Sequence, residues 1–165
     1  MTKATGPLFQ VHFRRRRQGR TDYQKRLSLL KSRKVRLVVR KTLRAILAQV
    51  VQFSEKGDMI LASADSRMLK EFGYTGKRNT PSAYLTGLLV GKKAVKAGVK
   101  DFVLDIGLYA PTKGNVLFAC CKGAIDAGLH TAYSAEAYPS EQRMNGEHVK
   151  QKDAVLAAKE KILKS

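Results

Sequence analysis

The sequence predicts an α/β domain, with helices layered on a sheet, behind a basic N-terminal arm and ahead of a helical C-terminal extension. Three observations carry that expectation. Apolar residues alternate with a period of two at the start of residues 35–65, as a strand requires, and two more strand-like segments follow in that stretch. Beyond residue 79 the pattern becomes helix, buried strand, helix and strand in succession, which requires crossover connections and layered packing. The first twenty residues hold cations, glycines and a proline but no sustained apolar periodicity, so they read as an extended arm that orders on its partner.

Taken in order, the elements have local reasons. Thr21 reads as a helix N-cap, with Gln24 completing a capping box and Tyr23, Leu27 and Leu30 forming one apolar stripe. Lys25, Arg26 and Lys31 decorate the rest of that helix. Val35, Leu37 and Val39 alternate with Arg36, Val38 and Arg40, which predicts a strand whose second face is basic. Residues 43–53 read as a second strand, the SEKGD cluster at 54–58 as a turn, and MILASA as a third strand, all antiparallel. This arrangement puts Arg36, Arg40 and Arg44 on strand positions nearest the basic helix and arm. Thr80 as N-cap and Pro81 at the first helical position open a helix that continues through Leu85, Leu88, Leu89, Lys92 and Val95 and closes at Gly98. DFVLDIG is short and apolar enough for a buried strand. A second helix covers about 115–127, stopped by Gly128, and LHTAYS is strand-like. After residue 140, Val155, Leu156, Ile162 and Leu163 recur at roughly seven-residue intervals, which predicts a short helix, marginal alone and ordered against a neighbour. The expected organisation is an arm over 1–20, an α/β domain over 21–139 and an extension over 140–165.

Charge narrows the function. The chain holds 32 Lys and Arg against 13 Asp and Glu, a net +19 in 165 residues. Residues 1–44 account for +14 of it, the remainder for only +5. Within 13–26 stand Arg14, Arg15, Arg16, Arg17, Arg20, Lys25 and Arg26 with a single acid, Asp22. Guanidinium groups so crowded repel one another and disfavour the compact state unless something negative lies against them. A polyanion is therefore the expected partner. No run of about 18 apolar residues is present for a membrane span, and no apolar segment precedes the arginines as a signal peptide would, so a cytosolic location is expected. An anionic membrane surface is disfavoured because no amphipathic apolar face accompanies the arginine block.

Other constellations give weaker chemistry. Phosphates accept bidentate guanidinium contacts and release condensed counterions, so the arm suits RNA or DNA, with Phe13 and Tyr23 as stacking surfaces. GYTGKRN at 73–79 departs from a phosphate-cradling P-loop: two residues separate its glycines, and Arg78 stands where Ser or Thr would hold magnesium. It reads as a basic loop touching phosphate or a solvated turn. Asp101 and Asp105 share a strand face, with Asp126 a further candidate, as a two-metal nuclease would need, but strand ends commonly use Asp for turn contacts. Cys120 and Cys121 are adjacent, outside ordinary disulfide and zinc patterns, and read as small core residues. His130 and His148 read as ordinary residues. No catalytic residue, metal or cofactor is expected, and a DNA-compacting protein stands beside RNA binding as an alternative.

The stretch TGPLFQVHFRRRRQGRTDYQKRL at 5–27 resembles the opening of the archaeal and eukaryotic form of the 5S rRNA-binding large-subunit ribosomal protein, the family numbered eighteen. LASADS, NTPSAYLTGLLVGKKAVKAGV, VLDIGL, GAIDAGL and RMNGEHV follow in the same order, so the resemblance spans most of residues 5–150. It implies a mixed-sheet α/β domain with a basic arm, in the central protuberance of the large subunit of the cytoplasmic ribosome. The implied partners are 5S rRNA, the large-subunit rRNA and neighbouring ribosomal proteins, with no enzyme activity. Arg14, Arg15, Arg16, Arg17 and Arg20, with Tyr23 and Arg26 behind them, are the rRNA contacts the resemblance implies. Strand alternation and local charge add Arg33, Lys34, Arg36, Arg40 and Arg44, and Lys77, Arg78 and Lys113 are loop candidates.

Overall fold

The computed structural model of the chain describes residues 6–132 and 134–164. Residues 1–5 of the expected arm, Tyr133 within LHTAYS, and Ser165 lie outside the described residues.

In chain order the elements are α1 (Arg14–Arg17), α2 (Tyr23–Lys31), β1 (Val35–Lys41), β2 (Ile46–Gln52), β3 (Met59–Asp65), a 3-10 segment (Ser66–Phe72), α3 (Thr80–Lys96), β4 (Phe102–Asp105), α4 (Val116–Asp126), α5 (Glu141–Met144) and α6 (Lys152–Lys164). Two further 3-10 turns, Ala135–Ala137 and Glu147–Val149, flank α5. The sheet is mixed, in the order β3-β2-β1-β4, with β1, β2 and β3 antiparallel and β4 parallel to β1. The fold is the α/β mixed sheet that the sequence and the resemblance together implied. Because β3 and β4 lie at opposite edges, α3 crosses the sheet between them.

The period-two pattern explains the layering. Leu37 and Val39 of β1, with Ile46, Ala48 and Val50 of β2 and Ala62 and Ala64 of β3, enter one buried cluster with Leu85, Leu88 and Leu89 of α3 and Leu117, Phe118 and Cys121 of α4. α3 is central: it packs on β2, β3, α4 and α6. Its residues from Thr80 to Val90 are accordingly buried around the whole circumference. Small residues let α4 approach. A Cβ placed on Gly87 would land on the Cys120 carbonyl, and one on Gly123 on the Tyr84 carbonyl. Cys120 and Cys121 are free and buried, as read from the sequence. Burial pushes both thiols up, that of Cys121 to about 12, so neither is a nucleophile at neutral pH.

Several boundaries differ from expectation. α2 is capped by Asp22, whose carboxylate accepts from the backbone N–H of Gln24 and Lys25 at 3.0 and 3.2 Å; Thr21 instead accepts from Arg15 Nε at 2.8 Å. The anion at the helix N-terminus also complements the helix dipole. Leu27 is exposed, and the covered side of α2 runs through Tyr23, Arg26, Leu29 and Leu30. Asn79, not Thr80, caps α3, accepting from Ser82 N at 3.1 Å, with Pro81 in the first turn. The second strand starts at Ile46 because residues 42–45 close a turn: Thr42 and Ala45 exchange backbone and hydroxyl hydrogen bonds. LHTAYS makes no strand among the described residues, only one bridge between Asp101 and His130. Among the described residues there, Leu129 alone is buried, and His130, Thr131 and Ala132 supply no apolar alternation to hold them on the edge of β4. Within the arm, the four arginines form one turn of helix rather than extended chain.

The extension is ordered against a neighbour, as marginal stability alone required. Val155, Ala158 and Ile162 of α6 are fully buried against α3 and the Ser66–Phe72 segment. Lys159 Nζ lies 5.3 Å from the Tyr84 ring centre, and Tyr74 donates to Gln151 Oε1 at 3.2 Å.

Candidate nucleic-acid interface

The arm presents its charge openly. Arg14, Arg15, Arg16 and Arg17 are all exposed, and one turn at about 100° per residue fans their side chains around the axis. Arg20 and Lys25 are exposed as well. The Phe13 and Tyr23 rings sit 5.2 Å apart and tilted by 44°, bracing the arm against the first turn of α2. The two aromatics expected as stacking surfaces therefore stack partly on each other.

The sheet arginines behave differently, and this corrects the expectation of a basic sheet face. Arg36 is 1 % exposed. Its Nη1 donates to Asp105 at 3.0 Å and its Nη2 to Asp58 at 2.7 Å. Asp58 also accepts from Arg26 of α2 at 3.0 Å, and Asp105 from Arg40 Nη2 at 3.0 Å. The chain Arg26, Asp58, Arg36, Asp105, Arg40 thus alternates in sign from α2 across the second face of the sheet to β4. Parallel register explains it: Arg36 pairs with Val103 and Val38 with Asp105, so Asp105 stands on the arginine face between Arg36 and Arg40. Burial alone pushes the Asp58 carboxyl up, but the hydrogen bonds and charges of Arg26 and Arg36 outweigh it and hold the group below its ordinary value. Arg36 Nε has no hydrogen-bond partner among the described residues, which marks it as a buried structural cation.

Arg40 is intermediate. Its Nη1 donates to the carbonyls of Val39 and Asp105 at 2.9 and 2.8 Å, while its side chain keeps 39 % exposure. Gly107, at φ 63°, lets the loop after β4 lie on that guanidinium; a Cβ there would stand 3.0 Å from Arg40 Cζ. Gly107 N also donates to Asp105 at 2.8 Å.

The remaining candidates are scattered. Arg33, with a left-handed backbone at φ 53°, and Lys34 are exposed in the link from α2 to β1. Arg44 is exposed on the β1–β2 turn, off the strand where alternation had put it. Lys77 and Arg78 are exposed just ahead of α3. There Gly76 lies against the Ser66 carbonyl and Lys77 N donates to Ser82, so GYTGKRN is a packed connection rather than an open cradle. Lys113 is exposed and paired with Glu136 at 2.9 Å. The nuclease carboxylates do not converge: Asp101 is exposed at the start of β4, Asp105 is held by two arginines, and Asp126 accepts from the Tyr84 hydroxyl and pairs with Lys122.

What the structure does bring together is a cleft of about 770 Å³ between α2 and the 106–111 loop. Arg15, Arg20, Tyr23, Arg26 and Arg40 all line it. So do Tyr109 and Lys25, neither of which sequence reasoning placed at a site. Arg33, Lys34, Arg44, Lys77, Arg78 and Lys113 do not. A family model described as ribosomal large subunit proteins 60S L5, and 50S L18, matches residues 8–102, from the arm to the first residue of β4.

Proposed function

The chain belongs to the family of ribosomal large subunit proteins 60S L5 and 50S L18, a structural rather than catalytic component of the cytoplasmic ribosome and of translation, and from that premise we propose that it binds 5S rRNA and helps attach it to the large-subunit rRNA in the central protuberance. The observation that carries the RNA contact is the contrast between two sets of cations. Among the described residues, Arg14, Arg15, Arg16, Arg17, Arg20 and Lys25 stand exposed with no carboxylate against them, whereas Arg26, Arg36 and Arg40 share the carboxylates of Asp58 and Asp105 within the fold. The first set needs an outside polyanion; in the second, two of three positive charges are already balanced inside the protein.

In this reading the exposed arginines take phosphate oxygens in bidentate pairs, and counterion release supplies most of the affinity. Arg33 and Lys34 add contacts ahead of β1, and Arg44 adds one at the opposite end of that strand. Arg36 works from inside, holding the sheet face together rather than touching RNA, and Arg26 and Arg40 divide their donors between protein and ligand. Tyr23 braces the arm through Phe13. Lys77, Arg78 and Lys113 are peripheral, the last already neutralised by Glu136. RNA helices hide base edges in a deep groove, so most contacts fall on phosphates and 2′-hydroxyls. The division of labour follows: residues 1–20 as the arm, 21–139 as the RNA-binding body, and 140–165 as an extension whose packing braces α3. Neighbouring ribosomal proteins are the further partners proposed.

The test is binding of the purified chain to 5S rRNA, with a duplex DNA of equal length and a fragment of large-subunit rRNA as competitors. Preference for 5S rRNA is expected. Equal affinity for the duplex sinks the 5S assignment in favour of general nucleic-acid compaction.

A further inference from the structure

Phosphate recognition requires only exposed cations on a convex surface, and the arm supplies them. It leaves the cleft between α2 and the 106–111 loop unexplained. This cleft is concave, and at about 770 Å³ it falls within the roughly 300–1,000 Å³ of small-ligand sites. One wall is apolar, from Leu29, Ile106 and Leu108, and Leu108 remains 54 % exposed at its edge. A phosphate has no use for such a wall, but the face of a base does.

Each carboxylate around the cleft already has donors within the protein. Asp22 accepts from the backbone of α2, Asp58 from Arg26 and Arg36, and Asp105 from Arg36, Arg40 and Gly107 N. The cations Arg15, Arg20 and Lys25 are exposed along the same cleft, and half-exposed Arg40 lies in its lining. Tyr109 is fixed there by its hydroxyl, which donates to the Lys41 carbonyl at 2.9 Å, and by Lys41 Nζ, 4.7 Å from its ring centre. The cleft therefore offers a positive rim, an apolar wall and a held aromatic ring.

We propose that this cleft receives one unstacked nucleotide of the bound RNA, its base against Leu108 and Tyr109 and its phosphate against Arg15, Arg20 and Arg40. The assignment rests on the RNA-binding reading above and adds to it a base-sized site. It also accounts for the internal pairing of Arg40, which holds a guanidinium in a fixed orientation where a single-stranded base or phosphate arrives.

The test compares wild type, Leu108→Ala and Leu108→Trp on 5S rRNA. Each complex is probed by 2′-hydroxyl acylation at every nucleotide and titrated at several salt concentrations. Leu108 is exposed, so neither substitution disturbs the core, and circular dichroism checks this. The expected result is an unpaired nucleotide that changes reactivity on binding wild type, changes less on binding Leu108→Ala, which removes part of the wall, and does not change on binding Leu108→Trp, whose ring takes the place of the base. The Leu108→Trp complex should be about tenfold weaker, the order of one lost base stack, with a salt slope smaller by about one at most because a single phosphate contact leaves with the base. Identical reactivity and affinity for Leu108→Trp overturns the proposal, and so does a wild-type complex in which no unpaired nucleotide changes. Failure of wild type to bind 5S rRNA at all overturns the parent reading and this one with it.

Discussion

At the residue scale, the magnitudes separate two kinds of ion pair. Arg36 is almost fully buried between Asp58 and Asp105, so losing one partner strands a charge where water cannot reach it. Asp105→Asn is expected to lower unfolding free energy by about 3 kcal/mol, read from the urea midpoint, because breaking a buried pair costs roughly 3–5 kcal/mol and Asp58 still holds part of the charge. Lys113→Ala should leave the midpoint unchanged, since both partners of Lys113–Glu136 are mostly exposed. Asp58 also fixes a pH dependence. Its folded pKa lies below the ordinary 3.8, so the unfolded chain takes up the proton first. The stabilisation is then complete above that ordinary value and is lost as pH falls through the folded one. Asp58→Asn, already neutral, should show a shallower loss of stability in acid by circular dichroism; an equally steep acid limb contradicts the assignment. The basic alternation of Arg36 and Arg40 was legible in sequence, but their neutralisation was not. Asp105 lies more than sixty residues away, and only the parallel register beside Val38 brings it alongside.

At the element scale, β1 to β4, α3 and α4 were legible because periodicity and cap residues mark them locally; Thr beside Asp and Asn beside Thr each left the cap ambiguous by one residue. What local pattern does not state is which faces meet. The glycines of α3 and α4 show this: read singly they look like weak helix formers, yet they let two backbones touch. Gly87→Ala and Gly123→Ala are expected to destabilise by about 1–3 kcal/mol or more through overpacking, since the new methyl meets a carbonyl rather than a movable side chain. Gly91→Ala should cost less because its overlap is smaller, the nearest atoms being the Ala127 methyl at 2.6 Å and the Ala124 Cα at 3.0 Å. Thermal melts of the three variants test the ranking. α6 was legible as a helix but not as part of the core. Ile162 is fully buried, so Ile162→Ala should cost about 2–5 kcal/mol, a loss that a loosely attached tail would not produce.

At the scale of the whole molecule, the sequence disclosed the excess of charge at one end, and the fold decides which of those charges are spent internally. No residue of Arg14–Arg17 is buried, so replacing all four by alanine removes no core contact. In the free protein it also relieves repulsion within a chain of net charge +19. The melting temperature of that variant should therefore hold steady or rise slightly at low salt, while its affinity for RNA falls. If wild type neutralises six to ten phosphates, its affinity should drop by something like three to five decades between 50 and 200 mM salt. The variant should show a slope smaller by about three, close to one released counterion per arginine in contact. Stability and binding then move in opposite directions under a single substitution set, which a structural role for the arm cannot produce. A variant that melts early and keeps the wild-type salt slope would place the four arginines in the fold and not in the interface.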